Sequence, residues 1–155
     1  SVFYYGGVVK QMIIKLKYEE GFWVLPILGG VLAHRIAGSG LDNCVLMPMP
    51  MHRRRRYGRG YNQAALLAKW VSNRLGVAVV SDGLWRVKNV LQQGLGRKER
   101  LVNVRQSFLA KKVSDCRVIL LDDVVTTGST LYHAYQALYE AGYRDVQLWT
   151  LAVSD

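Results

Sequence analysis

Between Gly7 and Lys17 the chain reads GVVKQMIIKLK, which spaces Val8, Met12, Ile13 and Leu16 three and four apart and puts the lysines on the other side. That period is one face of an amphipathic α-helix. A second helix is predicted from Pro26 to about Ala37, opened by proline in its first turn and weakened by Gly29 and Gly30. At 43–50 the period changes: NCVLMPMP is continuously apolar, as a strand buried on both faces is, and it stops where Pro48 and Pro50 have no N–H to give a ladder. A helix follows at 62–76, with Ala65, Leu66, Ala68, Trp70 and Leu75 near one face and Gly76 as its cap. VAVV at 77–80 predicts a short strand, whereas 88–106 is polar, basic and without period. A loop of that length inside a compact domain is usually functional or mobile.

Three elements close the chain: a strand at 117–121 (RVILL), a helix at 129–142 (STLYHAYQALYEAG) ended by Gly142, and a strand at 145–153 (DVQLWTLAV). Strand, helix, strand at these lengths implies a right-handed crossover between parallel strands. The pattern as a whole predicts an α/β fold, a mainly parallel, doubly wound sheet flanked by helices, with no internal repeat or linker. A length of 155 residues is expected to form one domain.

Composition narrows the classes. Half of the residues are hydrophobic and only three are proline, which excludes a disordered chain. No apolar run approaches the ~18 residues of a membrane span, and the start at Ser1 lacks the order of a secretion signal. No membrane insertion and a cytoplasmic location are therefore expected. Cys44 and Cys116 lie apart, without the spacing of a zinc site or disulfide scaffold, and read as reduced core thiols. The charge says more: 21 basic against 11 acidic residues gives +10, which favours anionic partners such as phosphates or nucleic acid. Eleven of the 21 positive charges fall in two stretches that read as loops, 51–61 and 86–105.

The chemistry gathers at 118–130, VILLDDVVTTGST. In open parallel sheets ligands bind beyond the carboxyl ends of the strands, where Asp122 and Asp123 are placed. Thr126, Thr127, Gly128, Ser129 and Thr130 then form the turn that opens a helix. Its backbone N–H groups, the helix dipole and the hydroxyls suit an anion, and Gly128 lets the backbone approach closely. Two carboxylates repel a phosphate, but they accept hydrogen bonds from the vicinal hydroxyls of a sugar. A ribose 5-phosphate satisfies both halves, its phosphate on the turn and its 2- and 3-hydroxyls on Asp122 and Asp123. Neither G-x-x-x-x-G-K-[ST] nor G-x-G-x-x-G occurs.

This stretch resembles the signature of type I phosphoribosyltransferases that bind 5-phosphoribosyl pyrophosphate (PRPP). The segments GGVVKQMIIKLKY, VLMPMPMHRRRRYGRGYNQAALLA and Arg86 to Phe108, with Gln93, Leu95, Arg100 and Asn103, extend the likeness to the ComF family over nearly the full length. Two departures stand out: Val90 replaces an expected threonine, and the family's Cys-rich, zinc-binding N-terminal segment is missing, which suggests a truncated chain or a variant without metal.

The resemblance implies a type I phosphoribosyltransferase-like fold and a PRPP-dependent transferase with Asp122 and Asp123 as catalytic residues. Mg²⁺ would come bound to PRPP, with no dedicated protein ligands beyond those two acids. It also implies a pyrophosphate loop at Arg59, Gly60, Tyr61 and Asn62, just before a helix, and a lid at Arg97, Lys98 and Arg100. Some transferases carry a carboxylate base at the position of Thr126, so no base for the acceptor is visible in this loop. The family further implies a link to DNA uptake and the competence machinery. Four consecutive arginines cannot all reach one small ligand, so Arg53, Arg54, Arg55 and Arg56 with Tyr57 offer phosphate contacts and a stacking ring for single-stranded DNA. A DNA-binding module on a transferase scaffold without turnover is thus the alternative reading.

Overall fold

A computed structural model describes residues 1–51, 60–87 and 108–154. In chain order these form β1 (Phe3–Tyr4), α1 (Gly7–Tyr18), a 3₁₀ turn (Phe22–Val24), α2 (Leu25–Ala37), β2 (Cys44–Pro48), α3 (Gln63–Leu75), β3 (Leu84–Arg86), β4 (Phe108–Ala110), β5 (Arg117–Val125), α4 (Ser129–Glu140) and β6 (Val146–Val153). The main sheet has the order β1-β6-β5-β2, and every pair in it is parallel. β3 and β4 make a separate antiparallel ribbon.

The alternation of side chains along β5 sorts the molecule into two cores. Ile119 and Leu121 face a layer built from α1, α2 and α3, through Ile13, Leu16, Leu28, Leu32, Leu67 and Val71. Val118 and Leu120 face α4 and the ribbon, through Leu131, Leu138, Leu84 and Phe108. Helices therefore cover both faces, the doubly wound arrangement expected from the continuous apolar strands. Cys44 and Cys116 are free thiols, and among the described residues no helix is long and apolar enough to cross a membrane.

Several expectations need correction. β5 does not stop at Leu121: it runs to Val125 because β6 keeps pairing with it as far as Val125 opposite Val153. VAVV is no strand, only a bridge at Val79, since the chain meets β2 at the single residue Leu46. The buried face of α3 is Gln63, Ala64, Leu67, Ala68 and Val71, whereas Ala65, Leu66, Trp70 and Leu75 are only partly covered. Val8 is exposed, and the fully buried residues of α1 are Ile13 and Leu16, in its second half, with Val9 and Met12 packed against the core from partly covered positions.

Gly29 is a packing device rather than a weakness. A Cβ there would lie 2.8 Å from Cε3 of Trp70, so the absence of a side chain is what lets α3 seat its indole on α2. Gly29→Ala should destabilise the fold by ~1–3 kcal/mol through overpacking, despite the better helix propensity of alanine. Urea denaturation of the two proteins measures it.

Candidate functional site

β2 ends one residue too early to cover the acids. Its last residue, Pro48, lies opposite Leu121, and the next bond, from the Met49 N–H to the Leu121 carbonyl, is 2.7 Å. Beyond that point the β2 side of β5 opens into a cleft of about 580 Å³. Asp122, Asp123 and Val124 to Gly128 form its floor, and Lys17, Tyr18, Met49, Pro50, Asn62 and Arg86 belong to its walls.

Continuing the alternation of β5, Asp122 turns toward the ribbon and Asp123 toward α1. The backbone N–H of Asp123 donates to Oδ1 of Asp122 at 2.8 Å, and that of Val124 to Oδ1 of Asp123 at 2.7 Å. These bonds hold each carboxylate against its own strand. Asp123 Oδ2 also meets the Lys17 ammonium at 3.1 Å, in a pair whose side chains are 13% and 17% exposed. Asp122 has a carboxyl pushed up to about 7, first by burial and then by the charge of Asp123, against the opposing pull of the Asp123 N–H, Lys17 and Arg86. Two like charges on adjacent residues, largely screened from water, make a site that favours hydroxyl donors or a cation.

The turn after β5 has the features of an anion cradle. Gly128 is the N-cap of α4 at φ +72°, and it supplies no side-chain cap. A Cβ at Gly128 would meet nothing within 4 Å, so the glycine answers to backbone conformation and to open space above it. The first turn of α4 carries no acidic residue, which leaves its positive end uncompensated. Thr126, Thr127, Gly128 and Thr130 line the cleft. Ser129 is exposed and outside that lining, and its N–H reaches Oγ1 of Thr127 only at 3.4 Å.

Of the expected pyrophosphate loop, Gly60, Tyr61 and Asn62 are described, and their side-chain polar groups serve the scaffold. The Tyr61 hydroxyl donates to the Leu16 carbonyl at 2.7 Å, and its ring packs edge-on against Phe22 at 5.1 Å between centroids. Asn62 caps α3 by accepting from the Ala64 N–H at 3.0 Å, and donates to the Met49 carbonyl at 3.0 Å. Gly60 takes φ +77°. Asn62 borders the cleft while Gly60 and Tyr61 do not. Arg59, the lid residues Arg97, Lys98 and Arg100, and the run Arg53 to Arg56 with Tyr57 lie outside the described residues.

Lys17 was missed by the sequence reading, which put the lysines of α1 on the solvent side. It stands four residues after the buried Ile13, at the margin of the apolar stripe. Arg86 was noted only as part of a basic stretch. Its Nε donates to the Pro50 carbonyl at 3.2 Å and its guanidinium lies over the Phe108 ring at 4.8 Å.

Among the described residues no group of three or more His, Cys, Asp or Glu is placed to cage a metal. Two crowded carboxylates facing an open cleft nevertheless suit Mg²⁺ brought in by a phosphorylated ligand. That ion takes oxygen ligands and is usually bound through substrate phosphates with few protein groups.

No family model matches the chain. It is 34% identical over 152 residues to the competence protein F of Haemophilus influenzae, an alignment that covers 91% of this chain and 66% of that protein. To the DNA utilization protein YhgH of Salmonella typhimurium it is 34% identical over 159 residues, covering 97% of this chain and 70% of that one. The competence protein ComFC of Bacillus subtilis is 29% identical over 145 residues, covering 92% and 58%. The chain thus spans 66% to 70% of the length of the first two relatives. Among solved structures, the glutamine PRPP amidotransferase from B. subtilis superposes with a TM-score of 0.62 at 19% identity, covering 89% of this chain and 30% of that one. An allosteric regulatory enzyme of purine biosynthesis gives the same values. These superpositions establish the fold.

Proposed function

This chain belongs to the ComF family, on the type I phosphoribosyltransferase fold, and from that premise we propose that it binds PRPP with Mg²⁺ and transfers the phosphoribosyl group in the handling of DNA. The observation that supports this most is the placement, within one cleft, of the acid pair Asp122 and Asp123 directly before an uncapped helix N-terminus at Gly128. A ribose 5-phosphate presents hydroxyl donors and a phosphate to those two features in one small molecule. The names of the relatives, a competence protein and DNA utilization proteins, support the cellular setting.

Each residue then has a distinct task. Asp122 and Asp123 accept the 2- and 3-hydroxyls, and their negative charge stabilises the cation-like sugar that forms as the C1–O bond to diphosphate breaks. Thr126, Thr127 and Gly128 hold the 5-phosphate, with Ser129 and Thr130 completing the turn. When bound with the diphosphate, Mg²⁺ lowers the charge of the leaving group. Thr126 offers no proton acceptor, so the incoming nucleophile supplies its own basicity or brings a base with it.

Pyrophosphate release from PRPP in the presence of Mg²⁺ and a panel of amines, bases and oligonucleotides tests turnover, and calorimetry tests binding. A micromolar PRPP affinity is the expected result. Saturating PRPP and Mg²⁺ that give neither heat nor a thermal shift would sink the proposal.

A further inference from the structure

We propose that Lys17 is a substrate-binding residue that selects a sugar carrying a diphosphate over one without it, and that in the free protein it is parked on Asp123. This rests on the reading of the cleft as a PRPP site and assigns to α1 a part in it. Lys17 and Arg86 are the cations that line the cleft among the described residues. Arg86 is held in place by the Pro50 carbonyl and the Phe108 ring. Lys17 carries its charge on a flexible stem and meets Asp123 at 3.1 Å.

The other lysines of α1 have separate employment. Lys15 pairs with Glu19 at 2.9 Å on the solvent side, and Lys10 lies 5.9 Å from the Tyr5 ring centre. The last turn of α1 is tied to the residue before the cleft-lining Asn62, through the bond from the Tyr61 hydroxyl to the Leu16 carbonyl. That bond fixes the backbone next to Lys17 while leaving its side chain free to pivot by several Å.

A sugar seated on the acid pair brings hydroxyl donors to Asp123 and so replaces the ammonium as its partner. It also brings, at the carbon beside the 2-hydroxyl, a diphosphate with no other described lysine nearby. Lys17 approaches from α1, whereas the cradle at Thr126 to Gly128 belongs to the β5–α4 turn. Moving from carboxylate to diphosphate keeps the ammonium paired throughout. A ribose 5-phosphate, which lacks the diphosphate, takes Asp123 from Lys17 and gives nothing back.

Calorimetry with PRPP plus Mg²⁺ and, separately, with ribose 5-phosphate should show Lys17→Met weakening PRPP binding at least tenfold while ribose 5-phosphate binding is unchanged or tighter. Lys17→Arg should keep most of the PRPP affinity. Equal losses for the two ligands, or no loss for either, overturn the inference while leaving the PRPP site standing. Wild-type protein that binds neither ligand overturns the PRPP reading itself, and the inference with it. Should Lys17→Met melt early because Asp123 has lost its counter-ion, Lys17→Gln, which still donates a hydrogen bond, carries the same comparison.

Discussion

Asp122→Asn and Asp123→Asn are each expected to weaken PRPP binding by roughly 10- to 100-fold, and together to abolish it, because a charge-assisted hydrogen bond is worth ~1.5–3 kcal/mol. Asparagine keeps the shape and an accepting oxygen. The bonds that Oδ1 takes from the Asp123 and Val124 N–H groups therefore persist, and the strand edge should not move. What is lost is the charge that draws the sugar hydroxyls and offsets the cation-like carbon. Inorganic phosphate supplies the internal control. In the proposed site its binding is assigned to the Thr126–Gly128 turn, so removing a neighbouring negative charge should leave it unchanged or slightly tighter. Calorimetric titration of the three variants with both ligands reads the two halves of the site separately. PRPP affinity within threefold of wild type in both single variants would falsify the assignment of the acids.

How far the sequence carried this reading differs from element to element. β5, α4 and β6 announced themselves because each is long enough for its period to show, and the join between them holds both halves of the site. β1, with two residues, and β3 and β4, with three each, are too short to display any alternation. The face read on α3 shares only Ala68 with the buried one, and it gave equal weight to Trp70. It is partly covered, packed at a margin that exists only because Gly29 on another helix makes room. Lys17 illustrates a different limit. A lysine beside an apolar stripe normally extends into water. Whether it turns inward depends on what lies past the end of the helix, here a carboxylate brought from a distant strand. Local pattern contains no such information. The same holds for Asp122, whose burial follows from β6 continuing alongside β5 after β2 has stopped.

That burial leads to the second large effect, on stability rather than binding: Asp122→Asn should make the protein more stable above neutral pH. In the unfolded chain an aspartate titrates near ~3.9, whereas in the folded protein Asp122 is pushed up to about 7 by burial and by Asp123. A raised acid binds its proton more tightly when folded, so its contribution to stability is complete below the unfolded value. It falls away as pH rises between the two values and is gone above about 7. At pH 8 the folded state thus carries the full cost of an ionised, crowded carboxylate, on the order of 2–4 kcal/mol before allowance for its coupling to Asp123. Asparagine removes that cost and gives up the weaker attraction to Lys17 and Arg86. In a domain of this size each kcal/mol moves Tm by ~2–4 °C, so the variant should melt about 5 °C higher at pH 8. The two melting curves should converge below about pH 3, where Asp122 is protonated in both states. Scans in metal-free, phosphate-free buffer across that range decide the matter, and a variant that is equally or less stable at pH 8 removes the argument. Lower stability in exchange for binding is the trade expected of Asp122 if the two predictions hold together: a carboxylate that costs stability at working pH and loses that cost when hydroxyl donors reach it.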